Sequence, residues 1–408
     1  MSISRRSFLS ASSTAALGAA MPDFLRRAAI AAPLADKPGA RPTVLVVVQL
    51  TGGNDGLNTI IPFRNPLYAA ARPTLKQPAA RVLKINEELA FHPSMGGCAR
   101  LLEKSQFSVL QGIGYPRPNR SHFASMDIWH KATAASDQQY GWLGRSHAQL
   151  GAGNQEMAIG GGDPPLALFG PTGFAPKVQS LAEYQLRVSL KGDDPQRRAL
   201  IESFAQPAAD TQNELLAMVR ASARETYLSS ERLRKAAREY NPPVTYPSTG
   251  LGQRLKLIAQ LITAGVPERV DYTSLDGFDT HAAQQPLHVE LLQEFSDAVA
   301  AFQSDIVHQG HQERVLVVSF SEFGRRVKEN ASEGTDHGAA SQMFLVGERV
   351  RSGPIGKHPD LADLDDGDLK HHTDFLSVYA TLLEDWLGVP AEPILGGKFS
   401  RLDLLKNS

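Results

Sequence analysis

A short, uninterrupted apolar run constrains the fold of this chain more than any other stretch. Val44 to Val48 carries only aliphatic side chains, and Gly52 and Gly53 follow shortly after it. Such a run predicts a strand that is buried on both faces, which is typical of parallel sheets in α/β proteins. The paired glycines permit a sharp turn at the strand end, where open α/β sheets bind their ligands. Asp55, just beyond them, is therefore either a metal-site or reaction-site residue or the cap of the next turn.

The composition excludes several classes of protein. Among 408 residues, 42 Lys and Arg balance 43 Asp and Glu, so the formal net charge is -1. This balance gives no reason to expect a nucleic-acid partner or binding to an anionic membrane surface. Because Cys98 is the single cysteine, the chain forms neither an internal disulfide nor a multi-cysteine metal centre.

The first 40 residues resemble a bacterial export signal. Arg5 and Arg6 precede Phe8 and Leu9, and an alanine-rich, weakly hydrophobic stretch follows. This order predicts a twin-arginine signal and linker over residues 1–40, the twin-arginine export machinery as a partner, and a periplasmic or secreted mature protein. A basic start on an ordinary amphipathic helix is the alternative. No later segment has the roughly 20 apolar residues of a membrane span, so we expect no transmembrane anchor in the mature form.

Strand and helix patterns alternate along the rest of the chain. Further buried strands are predicted at residues 107–111, 269–275, 314–320 and 342–346, with helices between them. This alternation favours an α/β fold with a doubly wound, mostly parallel sheet flanked by helices. We assign residues 41–405 to this domain, and the charged helical stretch at about 180–265 to an insertion or peripheral lobe.

Acidic, serine and histidine side chains cluster at the ends of these strands. Ser121 begins a helix after the second long strand, where a serine is either an N-cap or a nucleophile beside free N–H groups. Because residues two apart face the same side of an extended backbone, Asp279 and His281 are able to bind one ion. Converging carboxylates repel each other unless cations compensate, so a metal site is the simplest explanation. The clustered residues are Asp55, Ser121, His122, Asp279, His281, Glu322, Asp336, His337, His371 and His372.

As a set, the motifs resemble a known superfamily. TGGNDGLN, NRSHF, GWLGR, FDTH, SEFGR and TDHG are similar to motifs of a widespread family of exported bacterial proteins of unknown function within the alkaline phosphatase and sulfatase superfamily, over about residues 42–405. The resemblance implies an alkaline phosphatase-like fold, Ser121 as the nucleophile, and two divalent ions of zinc, manganese, calcium or iron. The implied ligands are Asp55, Asp336 and His337 for one ion, and Asp279, His281 and either His371 or His372 for the other.

The chain departs from the superfamily pattern in two places. The Asp and His of FDTH are two residues apart where the superfamily spaces this pair by four, so Asp276 is an alternative ligand. The superfamily's Asp-His pair directly follows its strand, whereas here Glu322 holds that place and Asp336 comes later. Glu322 is therefore an alternative to Asp336 as the acidic ligand. No cysteine stands where a sulfatase carries its formylglycine precursor, which favours phosphate over sulfate esters.

The sequence thus predicts an exported, metal-dependent hydrolase of small-molecule, glycan or lipid phosphate esters. Two alternatives stay open. A non-catalytic protein of the same fold would bind a surface glycan or a partner protein, and the irregular ligand spacing favours it. A metal-independent serine esterase would use Gly53-Asn54-Asp55 and Asp368 to His371 as its GxND and DxxH blocks, although the Gly-Asp-Ser block that should precede them is absent.

Overall fold

The computed structural model describes residues 41–135, 137–150, 155–171, 173–180, 238–266 and 268–406. The strands are β1 (Val44–Thr51), β2 (Ile60–Ile61), β3 (Leu83–Lys84), β4 (Ala90–Phe91), β5 (Phe107–Gly114), β6 (Gln155–Ile159), β7 (Phe169–Gly170), β8 (Gly173–Phe174), β9 (Lys177–Val178), β10 (Glu268–Asp276), β11 (Val315–Phe320), β12 (Ser341–Val346), β13 (Gly353–Ile355), β14 (Leu364–Asp365), β15 (Asp368–Leu369) and β16 (Thr373–Asp374). The helices are α1 (Gly56–Thr59), α2 (Pro66–Ala71), α3 (Gly96–Glu103), α4 (His122–Lys131), α5 (Trp142–Leu150), α6 (Gly250–Ala264), α7 (Gln284–His308), α8 (Phe375–Thr381) and α9 (Glu392–Leu395).

A mixed, mostly parallel sheet organises the described part of the chain. Its strands lie in the order β13-β5-β12-β11-β1-β10-β6-β9, and β16 also pairs with β5. β1 is parallel to both β10 and β11, whereas β12 is antiparallel to its neighbours β11 and β5. Helices cover both faces of the sheet. The predicted α/β class, with a mostly parallel sheet flanked by helices, is therefore confirmed.

β1 is buried on both faces because its side chains alternate between two apolar layers. Val44, Val46 and Val48 belong to the layer that includes α3, α6 and α7. Leu45 and Val47 belong to the opposite layer, with α4, α5 and α8. Since each fully buried side chain of this size contributes roughly 1.5–3 kcal/mol, the strand stabilises both layers at once.

Parts of the sequence-based assignment fall outside the described residues. The predicted signal at 1–40 and residues 181–237 of the predicted helical lobe are among them. The described end of that lobe contains α6, whose Leu255, Ile258 and Ile262 are buried in the same layer as α7. Within the described ranges, every helix is too short or too polar to span a lipid bilayer.

Strand direction gathers the polar loops at one edge of the sheet. The Gly52-Gly53 turn follows β1, the FDTH loop follows β10, Glu322 follows β11 and the NRSH loop follows β5. β12 runs the opposite way, so the TDHG loop that leads into it starts from this same edge. The antiparallel strand is the reason why Asp336 and His337 precede their strand.

Two acidic side chains are buried toward the other end of β10. Within the described residues, the carboxyl oxygens of Glu268 and Asp271 have no hydrogen-bond partner. Burial raises the pKa of both carboxyl groups, although the positive charge of Arg314 opposes the shift. Both groups therefore hold a proton in the folded protein at pH values where an exposed carboxyl is ionised.

We expect Asp271→Asn to stabilise the protein progressively as the pH rises. Because the folded-state pKa of Asp271 exceeds its unfolded value, the stability of the neutral carboxyl is fully present below about pH 4 and is lost as pH rises through the folded pKa. Asparagine cannot ionise, so the variant should gain up to about 1.4 kcal/mol per pH unit over wild type in that interval. Urea unfolding at several pH values measures this gain. The exposed Asp403→Asn is the control, and a pH-independent difference for Asp271→Asn would contradict the prediction.

Candidate metal centre

Four side chains from three loops converge at the carboxyl edge of the sheet. His122, Asp279 and His337 each present a ligand atom within 4.8 Å of the others. The Nε2 atom of His281 lies 2.9 Å from the Nε2 of His337 and 3.1 Å from Oδ1 of Asp279. The Nε2 of His337 is 3.0 Å from that same oxygen, and the Nε2 of His122 is 3.4 Å from Oδ2. One carboxylate is therefore surrounded by three imidazoles.

The second ring nitrogen of two of these histidines bonds to an oxygen. Nδ1 of His122 lies 2.8 Å from Oε1 of Glu322, and Nδ1 of His337 lies 2.7 Å from the carbonyl oxygen of Arg120. Because a carboxylate or carbonyl oxygen accepts, each Nδ1 carries the proton and donates it. The Nε2 atom of each neutral ring then keeps a free lone pair, which points into the cluster. The hydrogen bond to Glu322 also raises the pKa of His122.

His281 is oriented in the same way by Asp336. Its Nδ1 lies 3.3 Å from Oδ1 of Asp336, which also accepts a hydrogen bond of 3.1 Å from Asn330. The hydrogen bond from Asn330 lowers the pKa of Asp336, so this carboxylate stays an acceptor. The Nε2 lone pairs of His281 and His337 consequently face each other across 2.9 Å. Two lone pairs at this distance repel unless a proton or a cation lies between them.

The donor set fits a transition-metal ion. Imidazole nitrogens and a carboxylate oxygen are the ligands of zinc, and they also suit iron and manganese. The separations of 2.9 to 3.4 Å between Asp279 and the three rings, and between His281 and His337, are those of ligands on one ion with bonds of ~2.0–2.1 Å. The Nε2 atom of His122 is buried and has no hydrogen-bond partner among the described residues, as expected for an atom that binds an ion.

A buried guanidinium group, that of Arg325, forms an ion pair with Asp279. The side chain of Arg325 is 0% exposed, and its Nη2 lies 2.8 Å from Oδ1 of Asp279. Its other nitrogens donate to backbone carbonyls, including those of Gly53 and Thr335 at 2.6 and 2.7 Å. Burial alone would raise the pKa of Asp279, but the hydrogen bond and the positive charge of Arg325 hold that pKa well below its usual range. Asp279 is therefore an anion at neutral pH.

Asp55 does not join this cluster, contrary to its expected role as a ligand. Its side chain is 1% exposed and forms a buried ion pair with Arg72, with contacts of 2.5 and 3.0 Å. Gln284 donates a third hydrogen bond of 2.5 Å. Burial would raise the pKa of Asp55, but Arg72 lowers it to about 2. The carboxylate thus neutralises a buried arginine and joins the Gly-Gly loop to the first turn of α7.

Glu322 and Asp336 bond to the Nδ1 atoms of His122 and His281, so neither takes the predicted place of the acidic ligand in this arrangement. Glu322 is fully buried and also accepts a hydrogen bond of 2.8 Å from the backbone N–H of Gly52. Both carboxylates orient an imidazole and increase its basicity, as is usual for residues behind metal ligands. Asp276, at the end of β10, is exposed, and within the described ranges it makes no hydrogen bond or ion pair with the cluster.

His371 and His372 lie beside the end of β5 and make other contacts. The backbone N–H of His372 donates to Gly112, and its ring bonds to the carbonyl of Lys357 and to Thr373. His371 packs against Gly114. Neither imidazole therefore joins the two-ion arrangement that the sequence suggested.

The contacts of the DxxH block do not support the esterase alternative. Asp368 bonds to the guanidinium group of Arg120 at 2.6 and 2.9 Å rather than to His371. Asp55, the acid of the GxND block, is held by Arg72. The acidic residues of the two blocks thus form separate ion pairs with arginines and do not form a catalytic pair with His371.

Sequence reasoning assigned neither His122 to the candidate metal centre nor Arg325 to the support of Asp279. The position of His122, directly after Ser121 at the start of the helix that follows β5, was the available signal. For Arg325 no such signal exists, because nothing in the local sequence separates a buried guanidinium from a surface arginine.

Comparison with known proteins places the chain in a family. Residues 43–385 match the family described as "Protein of unknown function (DUF1501)". The chain belongs to this family. No curated protein matches the sequence.

Several solved structures are similar to this DUF1501 chain. The PsFucS1 sulfatase from Pseudoalteromonas sp. shares 12% identity at a TM-score of 0.40, with 94% of this chain and 75% of that chain covered. An alkaline phosphatase superfamily protein from Vibrio parahaemolyticus shares 10% at 0.42, covering 92% and 78%. Murine ectonucleotide pyrophosphatase/phosphodiesterase 5 shares 8% at 0.39, covering 86% and 96%.

We expect Asp55→Asn to destabilise the DUF1501 protein without removing metal from its folded fraction. The substitution leaves the Arg72 guanidinium buried and unneutralised, which typically costs about 3–5 kcal/mol in the free energy of unfolding. Urea unfolding measures the loss, and elemental analysis of the folded fraction measures the metal. The double variant Asp55→Leu/Arg72→Met should recover stability, because it removes both charges. Loss of metal at unchanged stability would instead make Asp55 a ligand.

Replacing Glu322, the hydrogen-bond acceptor of His122, should weaken metal binding without abolishing it. We expect Glu322→Gln to lower metal affinity 10–100-fold, roughly the effect of losing a carboxylate partner of a ligand histidine. Competition with a chromogenic chelator measures the affinity. Asp279→Asn should have a larger effect, and Asp403→Asn, which alters an exposed carboxylate paired with Arg351, should have none. Equal affinities for wild type and Glu322→Gln would show that Glu322 does not act through His122.

Proposed function

We propose that this protein is a metal-dependent hydrolase of phosphate esters, and secondarily of sulfate esters, with Ser121 as its nucleophile. The observation that carries the proposal is the convergence of three imidazole lone pairs on the anionic carboxylate of Asp279. Each ring is oriented through Nδ1 by an oxygen acceptor, which is the arrangement of a metal site and not of a surface ion pair. A metal centre of Asp and His ligands is also what the resemblance to the alkaline phosphatase and sulfatase superfamily implies.

We further propose that the centre holds one ion, in place of the two expected from the resemblance. The ligands would be His122, Asp279, His281 and His337. The other carboxylates nearby are already engaged, since Glu322 and Asp336 each bond to a histidine and Asp55 bonds to Arg72. The nitrogen-rich donor set favours zinc, iron or manganese over calcium, which prefers oxygen ligands.

Ser121 stands between two residues of the centre. The carbonyl of Arg120 accepts from His337, and His122 is itself a proposed ligand. Among the described residues the Ser121 side chain makes no cap hydrogen bond, although Ser121 is the N-cap residue of α4. Its hydroxyl is therefore available for chemistry, and the first N–H groups of α4 are available to an anion.

These residues suggest a two-step hydrolysis. A bound divalent cation would lower the pKa of a nearby hydroxyl and neutralise the anionic ester. The Ser121 oxygen forms a bond to phosphorus while the bond to the alcohol oxygen breaks, and the serine proton ends on the departing alcohol. Water then releases phosphate and restores Ser121. The N-terminus of α4 stabilises the charge on the phosphoryl oxygens in both steps.

The site of action follows from the N-terminal pattern of the sequence. We propose that residues 1–40 direct export through the twin-arginine machinery and that the enzyme acts in the periplasm or outside the cell. Small-molecule, glycan or lipid esters are the proposed substrates.

The deciding experiment compares wild type with Ser121→Ala and Asp279→Asn in elemental analysis and in a panel of phosphomonoesters, phosphodiesters and sulfate esters. We expect about one transition-metal ion per chain in wild type and in Ser121→Ala, but little in Asp279→Asn. Turnover should fall on the order of 10³-fold or more in Ser121→Ala, because the nucleophile is lost while the ligands remain.

Ser332→Ala is the matched control, since Ser332 is an exposed serine in the loop before Asp336 and should leave turnover intact. Stoichiometric metal without turnover of any ester would favour the non-catalytic alternative. Turnover that survives EDTA would contradict the metal-dependent mechanism.

A further inference from the structure

One aromatic side chain near the proposed metal centre is almost completely exposed. Phe123 is 90% exposed, whereas the other exposed large apolar side chains of the described residues reach 39–50%. Half-exposed apolar residues are ordinary on protein surfaces. A phenylalanine that contacts almost no other group is not, because it forgoes the roughly 1.5–3 kcal/mol that its burial would contribute.

Phe123 has no evident role in folding. The buried face of α4 is formed by other residues, among them Trp129, which stacks on Phe320 and Phe375. Phe123 occupies the second position of this helix, where an aromatic residue has no advantage in helix propensity over an alanine. The fold therefore does not depend on Phe123, and its position points to a role in binding.

Phe123 lies in the first turn of α4, next to the residues of the proposed centre. In a helix every Cα–Cβ bond tilts toward the N-terminus, so a side chain covers the surface on the N-terminal side of its own Cα. On that side of Phe123 lie His122, whose Nε2 faces Asp279, and Ser121. Phe123 is therefore an exposed apolar residue directly next to the proposed ligand His122 and two residues from the proposed nucleophile.

We propose that Phe123 is a specificity-determining residue that stacks against a ring in the alcohol part of the substrate. The substrate class would be phosphate esters of sugars or aromatic alcohols, which offer a flat, partly apolar face. An alkyl chain is a poorer match, because such a chain needs a groove with walls, and a ring that is 90% exposed has no walls around it. This inference rests on the proposed hydrolase function and narrows its substrate.

Two probes with the same anionic group separate the ring from the charge. Phenylphosphonate carries a ring, and methylphosphonate does not. Equilibrium binding of each probe to metal-loaded protein is measured by calorimetry for wild type, Phe123→Ala and Phe123→Trp. We expect Phe123→Ala to weaken phenylphosphonate binding roughly tenfold and to leave methylphosphonate unchanged, while Phe123→Trp keeps or improves phenylphosphonate binding.

Val307→Ala is the matched control for loss of an exposed apolar side chain. Val307 lies near the far end of α7, about 35 Å along the helix from Gln284, so its loss should change neither affinity. Equal losses for both probes in Phe123→Ala, or no loss, would overturn the role of Phe123. If wild type binds both probes equally and still hydrolyses esters, this inference alone fails. If wild type holds no metal and hydrolyses no ester, the proposed function fails as well.

Discussion

One buried arginine, Arg325, joins the loops of the candidate site. The guanidinium group of Arg325 donates to carbonyl groups after β1, after β10 and before β12, and also to the Asp279 carboxylate. A buried charge without such partners would cost several kcal/mol, so folding places Arg325 only when all three loops are in position. Asp279 is then held before any ion binds. The position of Asp279 in the centre thus depends on the hydrogen bonds of one arginine.

Close approach of the backbone makes this arrangement possible. Gly52 has a φ of 115°, and a Cβ atom there would lie 2.5 Å from the backbone nitrogen of Asp279. Any other residue would push the FDTH loop away from the end of β1. The antiparallel direction of β12 has a comparable effect, because it returns the chain to the carboxyl edge and delivers His337 from a loop that precedes its strand.

The sequence predicted the scaffold well because its signals are local. The apolar run at Val44 identifies β1, and similar runs identify β11 and β12, since a strand buried on both faces is mostly apolar. Asp279, His281 and His337 were also named in advance, because they stand at strand ends. Which of them would surround the same carboxylate was not predictable. Whether Asp55 meets a metal ion or an arginine depends on Arg72, which lies directly after the end of α2.

The sequence by itself thus determined the class of the fold, the edge of the sheet where polar groups collect, and the chemistry of the available ligands. The tertiary structure alone decided which carboxylates face imidazole nitrogens, which neutralise buried arginines, and which ring nitrogens keep free lone pairs. The physical reason is the distance along the sequence over which each interaction acts. Apolar periodicity acts between residues a few positions apart, whereas the pairing of Glu322 with His122 joins positions 200 residues apart and exists only after the sheet has formed.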